Sequence, residues 1–291
     1  MSAERPAFTP YGYMLAACFF FAWMSEIAHW LGPTCDWRLI ALLRSFLALI
    51  FASLLAQLAG AQLVFWHTPM LWLRSCAGSL SLLCTFFALT QLRAAEVLTL
   101  TNTFPIWVAL LSWPLLHVRP RLSVWLAAGC GILGIVLIQQ PHFQVSDGAR
   151  LAIPLALVAA LTSALAMLGL HRLKGLHPWA IVVHFSAVAT VTTLTLCFLG
   201  EPVPVEHLLD SHHLLLFLGL GATATLGQLC LTQAFTAGSP ARVSVVGLTQ
   251  VLFALGIDQF LGGCTFDLTT LAGISLVIAP TAWMMLDRAN Q

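Results

Sequence analysis

Apolar residues in this chain come in long unbroken runs, not in the two-residue rhythm of a half-buried strand. Ten such runs can be marked, at 11–31, 38–58, 69–92, 95–116, 122–139, 151–170, 179–199, 212–235, 241–261 and 268–286. Each is close to the ~20 residues that an α-helix needs to cross a hydrocarbon core of ~30 Å. Strands are excluded by length, because barrel strands are ~10 residues long and alternate in polarity. The connections are short and carry the helix-breaking residues, as in Leu31-Gly32-Pro33, Arg119-Pro120-Arg121, Gln140-Pro141-His142 and Glu201-Pro202-Val203-Pro204. The pattern predicts an all-α integral membrane protein of ten transmembrane helices, with almost nothing outside the bilayer.

Composition strengthens this reading. Only 8% of the residues are charged and 59% are hydrophobic, against roughly 25% charged in an ordinary soluble domain. A chain so poor in charge cannot cover a water-facing surface, so its outside faces lipid. The net charge of +1 gives no reason to expect nucleic acid as a partner. The eight cysteines, Cys18, Cys35, Cys76, Cys84, Cys130, Cys197, Cys230 and Cys264, show no CxxC spacing and read as small packing residues. The first run lacks a basic leader beyond Arg5 and a small-residue cleavage site, so it is expected to be a retained helix, not a cleaved signal peptide.

The charges also orient the chain. With ten crossings and a cytoplasmic N-terminus, Arg5, Arg119, Arg121, Arg172, Lys174, Arg242 and Arg288 lie on the inner side, and Arg38, Arg93 and Arg150 on the outer. Basic residues concentrate on the cytoplasmic side of membrane proteins, so both termini are expected there.

The two halves resemble one another. The stretch Phe87-Ala88-Leu89-Thr90-Gln91 with Ala94-Ala95-Glu96-Val97, and the stretch Gln233-Ala234-Phe235-Thr236-Ala237 with Pro240-Ala241-Arg242-Val243, sit at corresponding places. Ala88 and Ala234 are 146 positions apart (234 − 88), as are Ala95 and Ala241 (241 − 95). Five helices per half is an odd number, so the halves enter the membrane in opposite senses. Inverted repeats of this kind recur in secondary transporters and place the substrate near mid-membrane at the repeat interface.

In these stretches, and in Leu73-Arg74-Ser75-Cys76-Ala77-Gly78, Phe104-Pro105-Ile106-Trp107 and the closing Gly131-Ile132-Leu133-Gly134-Ile135-Val136-Leu137-Ile138, the chain resembles the drug/metabolite transporter superfamily with paired EamA-type repeats. The resemblance implies two five-helix repeats, at 8–140 and 150–287, and an exporter of a small metabolite or drug-like solute in the bacterial inner membrane. The family also carries an Arg early in the second helix, where Arg44 stands here, and an acidic residue after the fourth helix, where this chain has Leu116-His117-Val118-Arg119 instead.

Polar residues inside apolar runs are the site candidates, because an ionisable side chain in lipid costs several kcal/mol. Glu26 lies roughly 8 Å from the outer end of the first helix, and Arg44 roughly 9 Å along the second, at 1.5 Å per residue. Their equal depth predicts a Glu26–Arg44 pair, read as structural or as a charge site for a zwitterionic or anionic solute. Arg74, roughly 7 Å from the inner side by the same rise, is read first as a snorkelling side chain and second as part of the site. His184 is six residues past Pro178, as Arg44 is six past Arg38, which sets it as the repeat-mate of Arg44 and a group that could titrate in transport. Asn102, Gln228 and Gln250 are amides that bind either a solute or a neighbouring helix. Trp107, with Trp23 and Trp113, is a cavity-lining aromatic or a packing residue.

The reading is therefore a secondary transporter working by alternating access, with a small-molecule substrate, the lipid bilayer as its surroundings, no cofactor and no metal. A coupling ion and a homodimer are both left open. No GxxxxGK[ST] sequence is present, so the energy source is expected to be a gradient and not ATP. The rival is an intramembrane enzyme of the acyltransferase type, for which His142–Asp147 supplies an HxxxxD spacing. The pairs His212-His213 and His171/His177 lack nearby Cys or carboxylate clusters, which argues against a metal site. No filter motif suggests a channel.

Overall fold

The computed structural model describes residues 9–66, 68–141, 147–199, 203, 210–261 and 267–286, apart from the side chains of 147–149. Arg5, Arg288, most of the 142–147 stretch and most of the 201–210 loop lie outside the described residues. Twelve helices follow one another: α1 (Thr9–Leu31), α2 (Trp37–Leu58), α3 (Pro69–Gln91), α4 (Ala94–Thr101), α5 (Phe104–Leu116), α6 (Leu122–Gln139), α7 (Asp147–Arg172), α8 (Pro178–Leu199), α9 (Ser211–Ala237), α10 (Pro240–Gly247), α11 (Gln250–Phe260) and α12 (Leu268–Leu286). They make ten spans long and apolar enough to cross a membrane, because α4 with α5 forms the fourth and α10 with α11 the ninth.

The expected single helices at 95–116 and 241–261 are thus each interrupted. At the first break Pro105 cannot donate a backbone N–H, and Thr103 N–H turns back to the Leu100 carbonyl in a tighter i→i+3 bond. The second break needs no proline. Leu248 and Thr249 donate to Val245 and Val246, and the Thr249 hydroxyl also takes the Val246 carbonyl at 2.7 Å. The two interruptions correspond: α4 and α10 begin and end 146 positions apart (240 − 94 and 247 − 101).

Within the spans, several hydroxyls are satisfied by the helix that carries them. Ser45 donates to the Ala41 carbonyl, Thr225 to Gly221 and Thr232 to Gln228, which removes bare donors from the apolar interior. At one end of the bundle Asp36 caps α2, accepting from Arg38 N at 2.8 Å and pairing with the Arg38 guanidinium at 3.0 Å. Those bonds hold the Asp36 carboxyl below the ordinary carboxylate range. Because folding lowers this pKa, the stability it contributes is present at neutral pH and is lost as pH falls through the lowered value. Asp36→Ala is expected to cost about 1 kcal/mol, measurable as a lower thermal midpoint at neutral pH that converges on the wild-type value in acid.

Packing repeats the internal symmetry. The first span packs on the eighth (α1 on α9) as the sixth packs on the third (α7 on α3), and the second packs on the seventh (α2 on α8) as the fifth packs on the tenth (α6 on α12). Exchanging the halves maps each pairing onto another or onto itself. With five spans in each half, the fold is a pair of inverted five-helix repeats. The contact between the fifth and tenth spans is made backbone to backbone: a Cβ at Gly134 would lie 2.7 Å from the Gly273 carbonyl, and one at Gly273 would lie 2.6 Å from that of Gly134.

Candidate functional site

Between the halves lies a cavity of about 210 Å³, walled by α1, α2 and α3 of the first half and α7, α8 and α9 of the second. Two arginines reach into it. Arg44 extends from α2, 8% exposed, and its Nε donates to the Met24 sulfur at 3.0 Å. Arg74 extends from α3, 1% exposed, and its Nη2 donates to Gln228 Oε1 at 2.8 Å while the guanidinium lies 4.0 Å over the Phe185 ring. Gly78, one turn further along α3, leaves the space this guanidinium occupies, since a Cβ there would come within 2.8 Å of Arg74 Nη1 and 2.9 Å of Phe185.

The chemistry of this pair lies in what it lacks. Two guanidiniums carry ten N–H donors between them, yet they find one weakly accepting sulfur and one amide oxygen. Arg74 Nε is buried with no partner, and no Asp or Glu is among the lining residues. Other polar groups in the wall are the hydroxyls of Ser81, Thr85 and Ser163, of which Ser81 donates to the Ala159 carbonyl and lies 2.6 Å from Ser163 Oγ. Phe86, stacked on Trp37 at 6.3 Å, also lines the cavity. Charges left uncompensated at this burial cost several kcal/mol, and such costs inside a membrane mark functional places.

Of the residues expected from the sequence, the structure brings Arg44, Arg74 and Gln228 to this cavity, and the other five lie outside its wall. The Glu26–Arg44 pair does not form. Glu26 is beside Asp258 of α11, with His29 and Trp30 near it, because α1 packs chiefly on α9 and α11 while α2 packs on α8 and α9. Nor does Arg74 snorkel: Gln228 and Phe185 hold it inward. His184 is buried behind the cavity, its Nδ1 at 2.8 Å from Ser75 Oγ and its ring against Trp72. α2 and α8 begin 141 positions apart (178 − 37), which sets the stretch around His184 and Phe185 opposite Arg44. Asn102 donates to the Leu98 carbonyl at the break in the fourth span, Trp107 packs against Val108, Ala164 and Leu168, and Gln250 opens α11. The fourth and ninth spans therefore do not line the cavity. Met24, Ser163 and Phe185 do, and nothing in the sequence separates them from the packing residues around them.

A wider cleft of about 580 Å³ opens at the end of the bundle expected to be cytoplasmic, where Arg119, Arg121, His171 and Arg242 gather. Its counterpart at the opposite end, about 310 Å³, is lined by Arg93, Glu96 and Gln140. Glu96 and Arg242 hold corresponding places 146 positions apart (242 − 96), so the two mouths of one repeated architecture differ in charge.

The EamA-like transporter family model matches the sequence twice, over residues 9–140 and 150–286. The chain belongs to the EamA-like transporter family. Among EamA-type and related proteins, the pseudopaline exporter CntI of Pseudomonas aeruginosa (strain UCBPP-PA14) is 30% identical over 284 residues, covering 96% of this chain and 97% of that protein. An uncharacterized transporter of Helicobacter pylori (strain 26695) is 25% identical over 208 residues, 70% of this chain and 69% of its own length. A solved crystal structure superposes with a TM-score of 0.83 at 15% identity, covering 96% of both chains, which shows the shared fold. The EamA architecture makes this an integral membrane transport protein, with a small molecule as its cargo and lipid around it.

Proposed function

We propose that this EamA-type protein exports a small metabolite from the cytoplasm by alternating access, with the Arg44–Arg74 cavity as the carrier site. One observation carries the reading: two charged side chains, nine-tenths or more buried, meet in a cavity whose wall is shared by three spans of one half and the three corresponding spans of the other. A site so placed changes its exposure when the inverted halves rock against each other. The naming of the 30% identical relative as an exporter supports the direction. The basic cleft at one mouth supports a cytoplasmic location for that end and for both termini.

Reconstitution tests the activity. Solute loss from proteoliposomes should saturate with concentration and should require the protein; flux that stays linear indicates a pore and overturns the carrier. Labelling tests the orientation. A single cysteine at Asp210, in a background with the native cysteines replaced, should react with an impermeant maleimide added to intact cells. Reaction only after permeabilisation reverses the orientation.

A further inference from the structure

We infer that the carrier site is built for a small molecule with two separate anionic groups, one for each guanidinium. This rests on the carrier reading above and names its substrate class. The first support is charge: Arg44 and Arg74 line one cavity with no carboxylate in its wall, so a bound anion supplies the compensation the protein withholds. Donor geometry is the second. The guanidinium fork matches carboxylate and phosphate oxygens in pairs, and neither Nη of Arg44 is engaged by the protein. Depth is the third. Arg44 stands seven residues from Trp37 at one end of α2, whereas Arg74 stands five residues from Pro69, at the opposite end of the bundle. Entering one cavity from different helices and from opposite ends, the two guanidiniums offer one binding group each to a ligand that spans them. The Gln228 bond and the Phe185 ring fix Arg74, while Arg44, tethered only to a thioether, closes on the second group. Carboxylates and phosphates share this chemistry.

Thermal unfolding of the purified full-length protein tests it, with citrate as the carboxylate probe, pyrophosphate as the phosphate probe, and glutaramide and choline as neutral and cationic controls. At least one of the two anions should raise the midpoint by about 2–4 °C, and whichever does so identifies the source. The controls should leave the midpoint unchanged, and Arg44→Gln or Arg74→Gln should abolish the rise. If either variant fails to fold, Gln228→Glu serves in its place, because it sets the protein's own carboxylate beside Arg74 and should also abolish the rise. No anion shift, or the same shift in every variant, overturns the inference. Extracellular metabolite profiling with and without the gene tests the carrier separately. Anion binding without any gene-dependent export defeats the carrier alone. Gene-dependent export of a neutral or cationic compound, with no anion shift, defeats the substrate class alone.

Discussion

Gln228→Glu is expected to raise the thermal midpoint of the empty protein by about 2–4 °C while reducing export at least tenfold. The substitution keeps the shape of the side chain and replaces the acceptor that already lies 2.8 Å from Arg74 Nη2 with a charged one. The present bond runs from a charged guanidinium to a neutral amide, and a carboxylate in its place adds the attraction of an opposite charge. Arg74 is buried already, so only the new carboxylate loses its hydration, and that loss offsets part of the gain. Transport suffers for the same reason stability improves: an internal counter-ion fills the role of the substrate. Thermal unfolding and efflux measured on one preparation check both halves of the statement. A variant that exports at the wild-type rate would show that Arg74 does not meet the solute.

Gly134→Val should prevent the protein from accumulating in a folded form. The valine Cβ would sit 2.7 Å from the Gly273 carbonyl and 2.9 Å from a Val277 methyl. The first of these is backbone of the opposing span and cannot swing aside. Overpacking of this kind costs about 3 kcal/mol even where some relaxation is available, and in a bilayer the lost close approach is itself the source of helix association. Gly129→Ala on the same helix is the control, because its Cβ meets nothing within 4 Å; alanine is also the better helix former by about 1 kcal/mol. Size-exclusion profiles of the two detergent-solubilised variants should differ, the first aggregated and the second like wild type.

The spans were legible because length and apolarity are one-dimensional properties, and ten of each sort stand in the chain. The interruption of the ninth span was not, since Leu248 and Thr249 keep αR backbone angles and no proline announces the turn. The other break carries Pro105, yet 95–116 reads as one run, because a proline is tolerated inside a transmembrane helix. Arg44, Arg74 and Gln228 stood out as polar residues in apolar runs, but depth alone paired Arg44 with the wrong partner. At 100° per residue, Met24 and Glu26 point about 200° apart around α1; the first meets Arg44 and the second meets Asp258. Which way a helix is turned depends on its neighbours in space, and here consecutive helices are not the principal neighbours.

The missing carboxylate in the cavity has an electrical consequence. A carrier whose site holds two fixed positive charges becomes neutral when it loads a dianion. The voltage across the membrane then acts on the return of the empty site, not on the loaded step. Moving one elementary charge through the full field is worth about 2.3 kcal/mol per 100 mV, in proportion to the fraction of the field the site crosses. For the export of a dianion proposed above, an interior-negative potential would favour the return of the two unpaired arginines toward the cytoplasm.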